Sequence, residues 1–289
     1  MPNMECMISI PIAVYNELFR FQLDLFWFAH KKIYGHSANK KTLAVIIRRN
    51  DSFDTKLTKY EWKINIPKNI CESYFDFDNT TYENGFLLPL NIQIGLLQTI
   101  EKLRDDQVIE LIDCDMFHIK KHPKLNINHD EMYVSDIYET WHLFSLTKNK
   151  FIIEKYCKTN KFYNGGFVPI IATVKTFKKL LFDWIYFHKD IVSSYSEEKQ
   201  IKWWAGMFSL QAACEVNKIK MIAQNFCYLP NIHEISKMHY IAHYSCDKFF
   251  DKKKFPNINF NHFPKTPYYN LIKEWAEKFG LYKKTIKFT

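Results

Sequence analysis

Runs of apolar residues change period along this chain, and the changes outline its elements. Met7 to Val14 is a short apolar run of strand length. Asn16 behind it can cap a helix whose apolar positions Leu18, Phe19, Leu23, Phe26, Trp27 and Ile33 recur at helical spacing. The opening is therefore predicted as a strand followed by a helix. Leu43 to Ile47 is a continuous apolar run expected of a buried strand, and Tyr60 to Ile66 alternates as a more exposed strand stopped by Pro67. The Asp-, Asn- and Tyr-rich stretch from Asn69 to Gly85 reads as a long loop. A helix from about Asn91 to Arg104 then leads into Val108 to Ile112, a strand that ends at Asp113.

Strands alternating with helices over the first 120 residues predict an α/β fold with a parallel or mostly parallel sheet in three layers. The binding crevice of such a sheet lies at the carboxyl ends of its strands. After Ile119 the rhythm changes. A polar, basic loop runs from Lys120 to Asp130, and a mixed segment follows to Phe151. Phe162 to Ile171 is predicted as a strand around Gly165-Gly166, then helices over Thr173 to Lys189 and Glu197 to Asn217. Short strands are expected near Ala223 to Leu229 and His239 to Tyr244, and an amphipathic helix from Tyr268 to Phe279. With no internal repeat and no Gly/Ser linker, residues 121–289 are expected to pack on residues 1–120 as one unit.

Composition narrows the chemistry by exclusion. Seven glycines in 289 residues form neither G-x-G-x-x-G nor G-x-x-x-x-G-K, which removes dinucleotide fingerprints and Walker loops. A net charge of +9 suits phosphate-bearing ligands, nucleic acid or anionic surfaces alike, and lysines on solvated faces account for it equally well. Seven scattered cysteines, odd in number and without C-x-x-C, predict reduced thiols in a cytosol-like compartment. Met1 to Pro11 has the regions of no secretory leader, and Arg20, Gln22 and Asp24 break the apolar stretch Leu18 to Ala29, so a cytoplasmic protein without a membrane span is expected.

The sharpest chemical feature is Asp113-Cys114-Asp115, two carboxylates one residue apart at the end of an apolar strand. In an extended chain residues i and i+2 point the same way, so both acids can converge on one hard cation, Mg²⁺ or Mn²⁺. An Asp-x-Asp triplet is common on turns; its place after a buried strand is what distinguishes this one. Second is Phe162 to Val168, where Asn164, Gly165 and Gly166 interrupt an aromatic strand and would allow a ligand, or a bulged neighbour, to approach closely. Third is Ile241 to Ser245, which sets His243 on a short late strand ahead of Lys248 and the run Lys252 to Lys254.

In this order the three features resemble the GT-A glycosyltransferases, the nucleotide-sugar transferases with an Asp-x-Asp motif, over roughly residues 5 to 250. The resemblance implies a three-layer α/β/α fold, with a Rossmann-like nucleotide-binding sheet in residues 1–120 and a continuous acceptor-binding half in residues 121–289. It implies transfer of a sugar from a UDP- or GDP-sugar to a hydroxyl of a glycan or glycoprotein, with a slight lean to retention. Asp113 and Asp115 would hold Mn²⁺ or Mg²⁺ and the nucleotide, His243 would be a further metal ligand, and Lys248 a phosphate contact. Asn164, Gly165 and Gly166 would border the sugar and acceptor. Relatives ending in His-x-x-Gly-x-x-Lys carry glycine where Cys246 stands and lysine one residue after Lys248, and an Asp-Gln pair common in their later helix is missing. In that helix Trp204 and Gln211 are candidates for substrate contact, one of Trp203 and Trp204 serving as a sugar platform and the other as core. Glu215, Glu198 and Asp247 are candidates for a catalytic base. Two other classes remain open: a metal-dependent phosphohydrolase, and a basic module binding nucleic acid through Lys and aromatics.

Overall fold

Val108–Asp113 (β4) is apolar except for Glu110 and the terminal Asp113 and is buried along almost its whole length, as a strand covered on both faces must be. In the computed structural model it lies at the centre of a seven-stranded sheet ordered β3-β2-β1-β4-β7-β6-β8. The structure describes residues 4–10, 17–38, 42–49, 70–75, 93, 96, 97, 100, 101, 103–113, 115–136, 150–156, 167–195, 199–230, 234–244, 247–251, 254 and 257–281. The other strands are Met4–Ile10 (β1), Thr42–Arg49 (β2), Ile70–Phe75 (β3), Glu131–Ser135 (β6), Phe167–Thr173 (β7) and Lys220–Gln224 (β8). All run parallel except β7, which is antiparallel to both β4 and β6. The chain moves outward from β1 to β2 and β3, then returns to β4 on the other side of β1. That reversal is the switch point at which such sheets bind ligands.

A second sheet of three short strands, Met116–His118 (β5), Ile241–His243 (β10) and Cys227–Tyr228 (β9), stands beside it in the order β5-β10-β9. The helices are Glu17–Tyr34 (α1), Lys150–Tyr156 (α2), Val174–Ser194 (α3), Lys199–Val216 (α4) and Pro267–Lys278 (α5), and Gln93, Leu96, Leu97 and Ile100 are also helical. Local chemistry fixes their starts. The Thr173 hydroxyl accepts from the Thr176 amide at the head of α3, and at α5 Thr266 accepts from the Tyr269 amide, with Pro267 supplying a preset φ. One continuous apolar core runs from Phe21 to Ala276, so both halves of the chain contribute to it. A smaller core of Ile152, Ile191, Ile201, Trp204, Ala205, Phe208 and Ala212 joins α2, α3 and α4.

The predicted elements largely stand, with changed bounds. The first strand spans 4–10 rather than 7–14, and the strand near Gly165-Gly166 starts at Phe167. Residues 70–75, expected in a loop, form β3, paired in parallel with β2 at one end of the strand order. In the mixed segment after Ile119, Glu131–Ser135 forms β6. Tyr60 to Ile66 lies outside the described residues.

Candidate functional site

Asp113 is the last residue of β4, and Asp115 stands at the turn before β5. The strand ends at Asp113, as the sequence predicts, and Asp115 leads into the second sheet. A strand packed on β5 brings up the third member of the group. β10 pairs antiparallel with β5, Ile241 opposite His118 and His243 opposite Met116, and the Tyr244 amide donates to the Asp115 carbonyl at 3.1 Å. This register delivers His243 to the acids across more than a hundred residues of chain.

Asp113, Asp115 and His243 each offer a ligand atom within 4.8 Å of the others, and His243 Nε2 lies 3.1 Å from Asp115 Oδ1. A six-coordinate Mg²⁺-sized ion with ligands at about 2.1 Å separates neighbouring donors by roughly 3 Å and opposite donors by roughly 4 Å. The 3.1 Å between His243 Nε2 and Asp115 Oδ1 matches neighbouring donors of such an ion. Asp115 is buried while Asp113 and His243 are half-buried, so an ion would touch both protein and solvent. Two carboxylates with one imidazole suit a divalent cation such as Mn²⁺.

Behind the ligands lies a buried polar cluster that the sequence analysis did not single out. Glu110 of β4, 1% exposed, accepts from the Tyr240 hydroxyl at 2.5 Å and lies 3.0 Å from His118 Nε2. His118 Nδ1 lies 3.3 Å from His30 Nδ1 on α1, and both imidazoles are buried. Burial pushes the Glu110 carboxyl up, but the His118 charge and hydrogen bond, with the Tyr240 hydroxyl, outweigh it and bring it down to about 2. A signal for the cluster was present: an acid inside an unbroken apolar strand requires a partner.

The other candidates separate by position. Glu215 lies in the last turn of α4, just before β8 begins at Lys220. Lys220 pairs with Glu131, at the level where β4 begins, so Asp113 is five residues further along and three strands across, roughly 16 Å by 14 Å. That places Glu215 at the opposite pole of the sheet from the acids, which removes it as a base. Gln211, one turn earlier on α4, is buried. Trp204 is 2% exposed within the smaller helical core, so it is the core tryptophan of its pair and offers no ring face to a sugar. Nothing is described for the Trp203 side chain.

Asp247 follows β10 and is buried, accepting from the hydroxyls of Tyr268 (2.7 Å) and Tyr269 (2.9 Å) and from the amides of Phe249 (2.8 Å) and Phe250 (3.2 Å). Its lone pairs are committed to structure. Lys248 is exposed, with Nζ 5.0 Å from the Phe249 ring centroid. Asn164, Gly165, Gly166 and Glu198 lie outside the described residues. The strand that Asn164, Gly165 and Gly166 precede, β7, begins at the same edge of the sheet as Asp113, because Phe167 pairs with Ser135 at the end of β6. Asp136, just past β6, stands at that edge too, with its amide donating to the Gln224 carbonyl at 2.8 Å.

No family profile and no curated protein matches the sequence. Solved structures do. The galactosyltransferase LgtC, in complex with donor and acceptor sugar analogues, is similar over 98% of both chains at TM-score 0.50 and 9% identity. An active-site variant of LgtC covers 88% of this chain and 94% of its own at TM-score 0.51 and 10% identity. The bifunctional glycosyltransferase WbbM matches 96% of this chain, over 51% of its own length, at TM-score 0.52 and 10% identity. The chain thus has the fold of the GT-A glycosyltransferases.

Proposed function

We propose that the protein is a metal-dependent glycosyltransferase that moves a sugar from a nucleoside-diphosphate donor to a hydroxyl of a glycan or glycoprotein. The observation that carries this reading is the Asp113–Asp115–His243 group, gathered at the switch point of a GT-A fold. A bound Mn²⁺ or Mg²⁺ supplies positive charge against the departing diphosphate. Asp113 and Asp115 would hold it as carboxylates, and His243 through a ring nitrogen as the neutral imidazole. Lys248 adds charge beside the β-phosphate. Asn164, Gly165 and Gly166 border the sugar and acceptor. Residues 121–289 form the acceptor-binding half.

Retention at the anomeric carbon is the stereochemistry we favour. Inversion needs a carboxylate base beside the acceptor hydroxyl. Of the candidate bases, Glu215 is at the far pole and Asp247 has its oxygens hydrogen-bonded, while Glu198 lies outside the described residues. Transfer on one face needs no such base, since the departing phosphate oxygen takes the acceptor proton.

A thermal-shift titration with UDP and GDP, with and without Mn²⁺, tests the function. Stabilisation by one nucleotide that requires the metal is expected, about 2.7 kcal/mol at a hundredfold excess over Kd. Asp115→Asn, which exchanges an anionic ligand for an amide, should abolish that shift and most donor turnover while the metal-free protein melts near wild type. Nucleic acid stabilising the protein without metal, or metal-dependent release of phosphate from simple esters with no nucleotide response, would replace this reading.

A further inference from the structure

Each member of the metal group lies three residues from one member of the buried cluster. Glu110 precedes Asp113 on β4, His118 follows Asp115 on β5, and Tyr240 precedes His243 on β10. We infer that Glu110, His118 and Tyr240 are positioning residues, a buried joint that fixes three strands at one end so that their other ends bring the metal ligands together. This rests on the reading of Asp113, Asp115 and His243 as metal ligands.

Geometry supplies the argument. β5 and β10 are three residues each, and β9 is two, too short for their ladders alone to specify register. Glu110 supplies what the ladder lacks, because one carboxylate on the rigid central strand takes the Tyr240 hydroxyl on one oxygen and His118 Nε2 on the other. The pairing of Ile241 with His118 is then the register in which Tyr240 reaches Glu110, and a slip by one residue would turn Tyr240 to the opposite face. The Ile119 amide, donating to the Tyr240 carbonyl at 2.8 Å, closes the same end of the ladder. Three residues of strand span roughly 10 Å, so a 10° swing about the joint would move a ligand by roughly 2 Å. Coordination tolerates about 0.2 Å. The joint is buried, with Glu110, His118 and His30 each at most 1% exposed, and the ring centroids of Phe26, Tyr34 and Tyr240 lie within 6.0 Å of that of His118.

Tyr240→Phe removes one hydroxyl and keeps the ring, and Glu110→Gln keeps the volume and removes the charge. Mn²⁺ affinity of the folded variants, read by electron paramagnetic resonance well below their melting temperatures, should fall tenfold or more, as losses behind metal ligands commonly do. Leu180→Ala, in the core on α3, controls for destabilisation and should leave Mn²⁺ affinity within twofold. His243→Ala sets the scale for losing a ligand outright. In the wild-type protein, Mn²⁺ should slow hydrogen exchange at the amides of Ile119, Tyr240 and Ile241 by coupling through the same joint, a measurement that does not depend on any variant folding. If His243→Ala loses affinity while Tyr240→Phe and Glu110→Gln stay within twofold of wild type, or if Mn²⁺ leaves those amides unchanged, the positioning role is overturned and the metal site stands. Wild-type protein that binds no Mn²⁺ overturns both.

Discussion

Asp24 carries a carboxyl that the fold works against when it is ionised. Burial in α1 raises it to about 6, against the hydrogen bond from Trp275 Nε1 at 3.0 Å and the charge of Lys278, which both act to lower it. An acid whose folded pKa is raised costs stability above that value, and the cost fades as pH falls from 6 towards the ordinary 3.8. Asp24→Asn keeps an acceptor for Trp275 and removes the charge, so it should stabilise the protein by about 1 to 2 kcal/mol at pH 7.5. That gain, measured by urea unfolding, should shrink to nothing by about pH 4; a gain independent of pH would show that the fold does not raise the Asp24 carboxyl. Glu110 has the opposite sign, contributing stability above 4.5 that is lost as pH falls towards 2. At this scale the sequence was readable where chemistry and position coincide, as in Asp113, Asp115 and His243. It was silent on where Trp204 and Glu215 would stand, because a polar or aromatic residue on a helix says nothing about which end of the sheet it lies beside.

The short elements depend on their anchors more than their lengths. α5 packs on the main core through Tyr268, Tyr269, Leu271, Ile272 and Trp275, and Asp247 joins it to the segment after β10 by taking two tyrosine hydroxyls and two amides. Asp247→Ala should cost roughly 3 kcal/mol or more, since it strands buried donors. Turnover per folded molecule should fall less than tenfold, whereas loss of a general base costs 10² to 10⁴. A drop of that larger size with stability unchanged would return Asp247 to the chemistry. The long helices were legible because their apolar spacing is periodic and their caps are local. β3 and β6 were not, since ICESYF and EMYVS mix acids and hydroxyls with apolar residues, and only pairing with β2, β7 and β8 makes them strands.

For the molecule as a whole, the seven cysteines give a direct test of compartment. Cys214 and Cys227 are buried, Cys214 Sγ lying 3.9 Å from Met132 Sδ. Alkylation of denatured, unreduced protein should add seven adducts by intact mass, and a reproducible shortfall of two would reveal a disulfide and overturn the reducing environment. Among the described residues no helix is long and apolar enough to cross a membrane. By itself the sequence determined the α/β class, the order of most strands and helices, and the acids at the end of β4, because periodicity, capping and composition act over a few residues. Tertiary structure alone decided that β7 runs against its neighbours, that Glu110 pins β5 and β10, and which pole each helical residue occupies. Those outcomes depend on pairing between residues far apart in the chain, as between Val108 and Thr173 or Glu110 and Tyr240, and no local pattern encodes a partner at that distance.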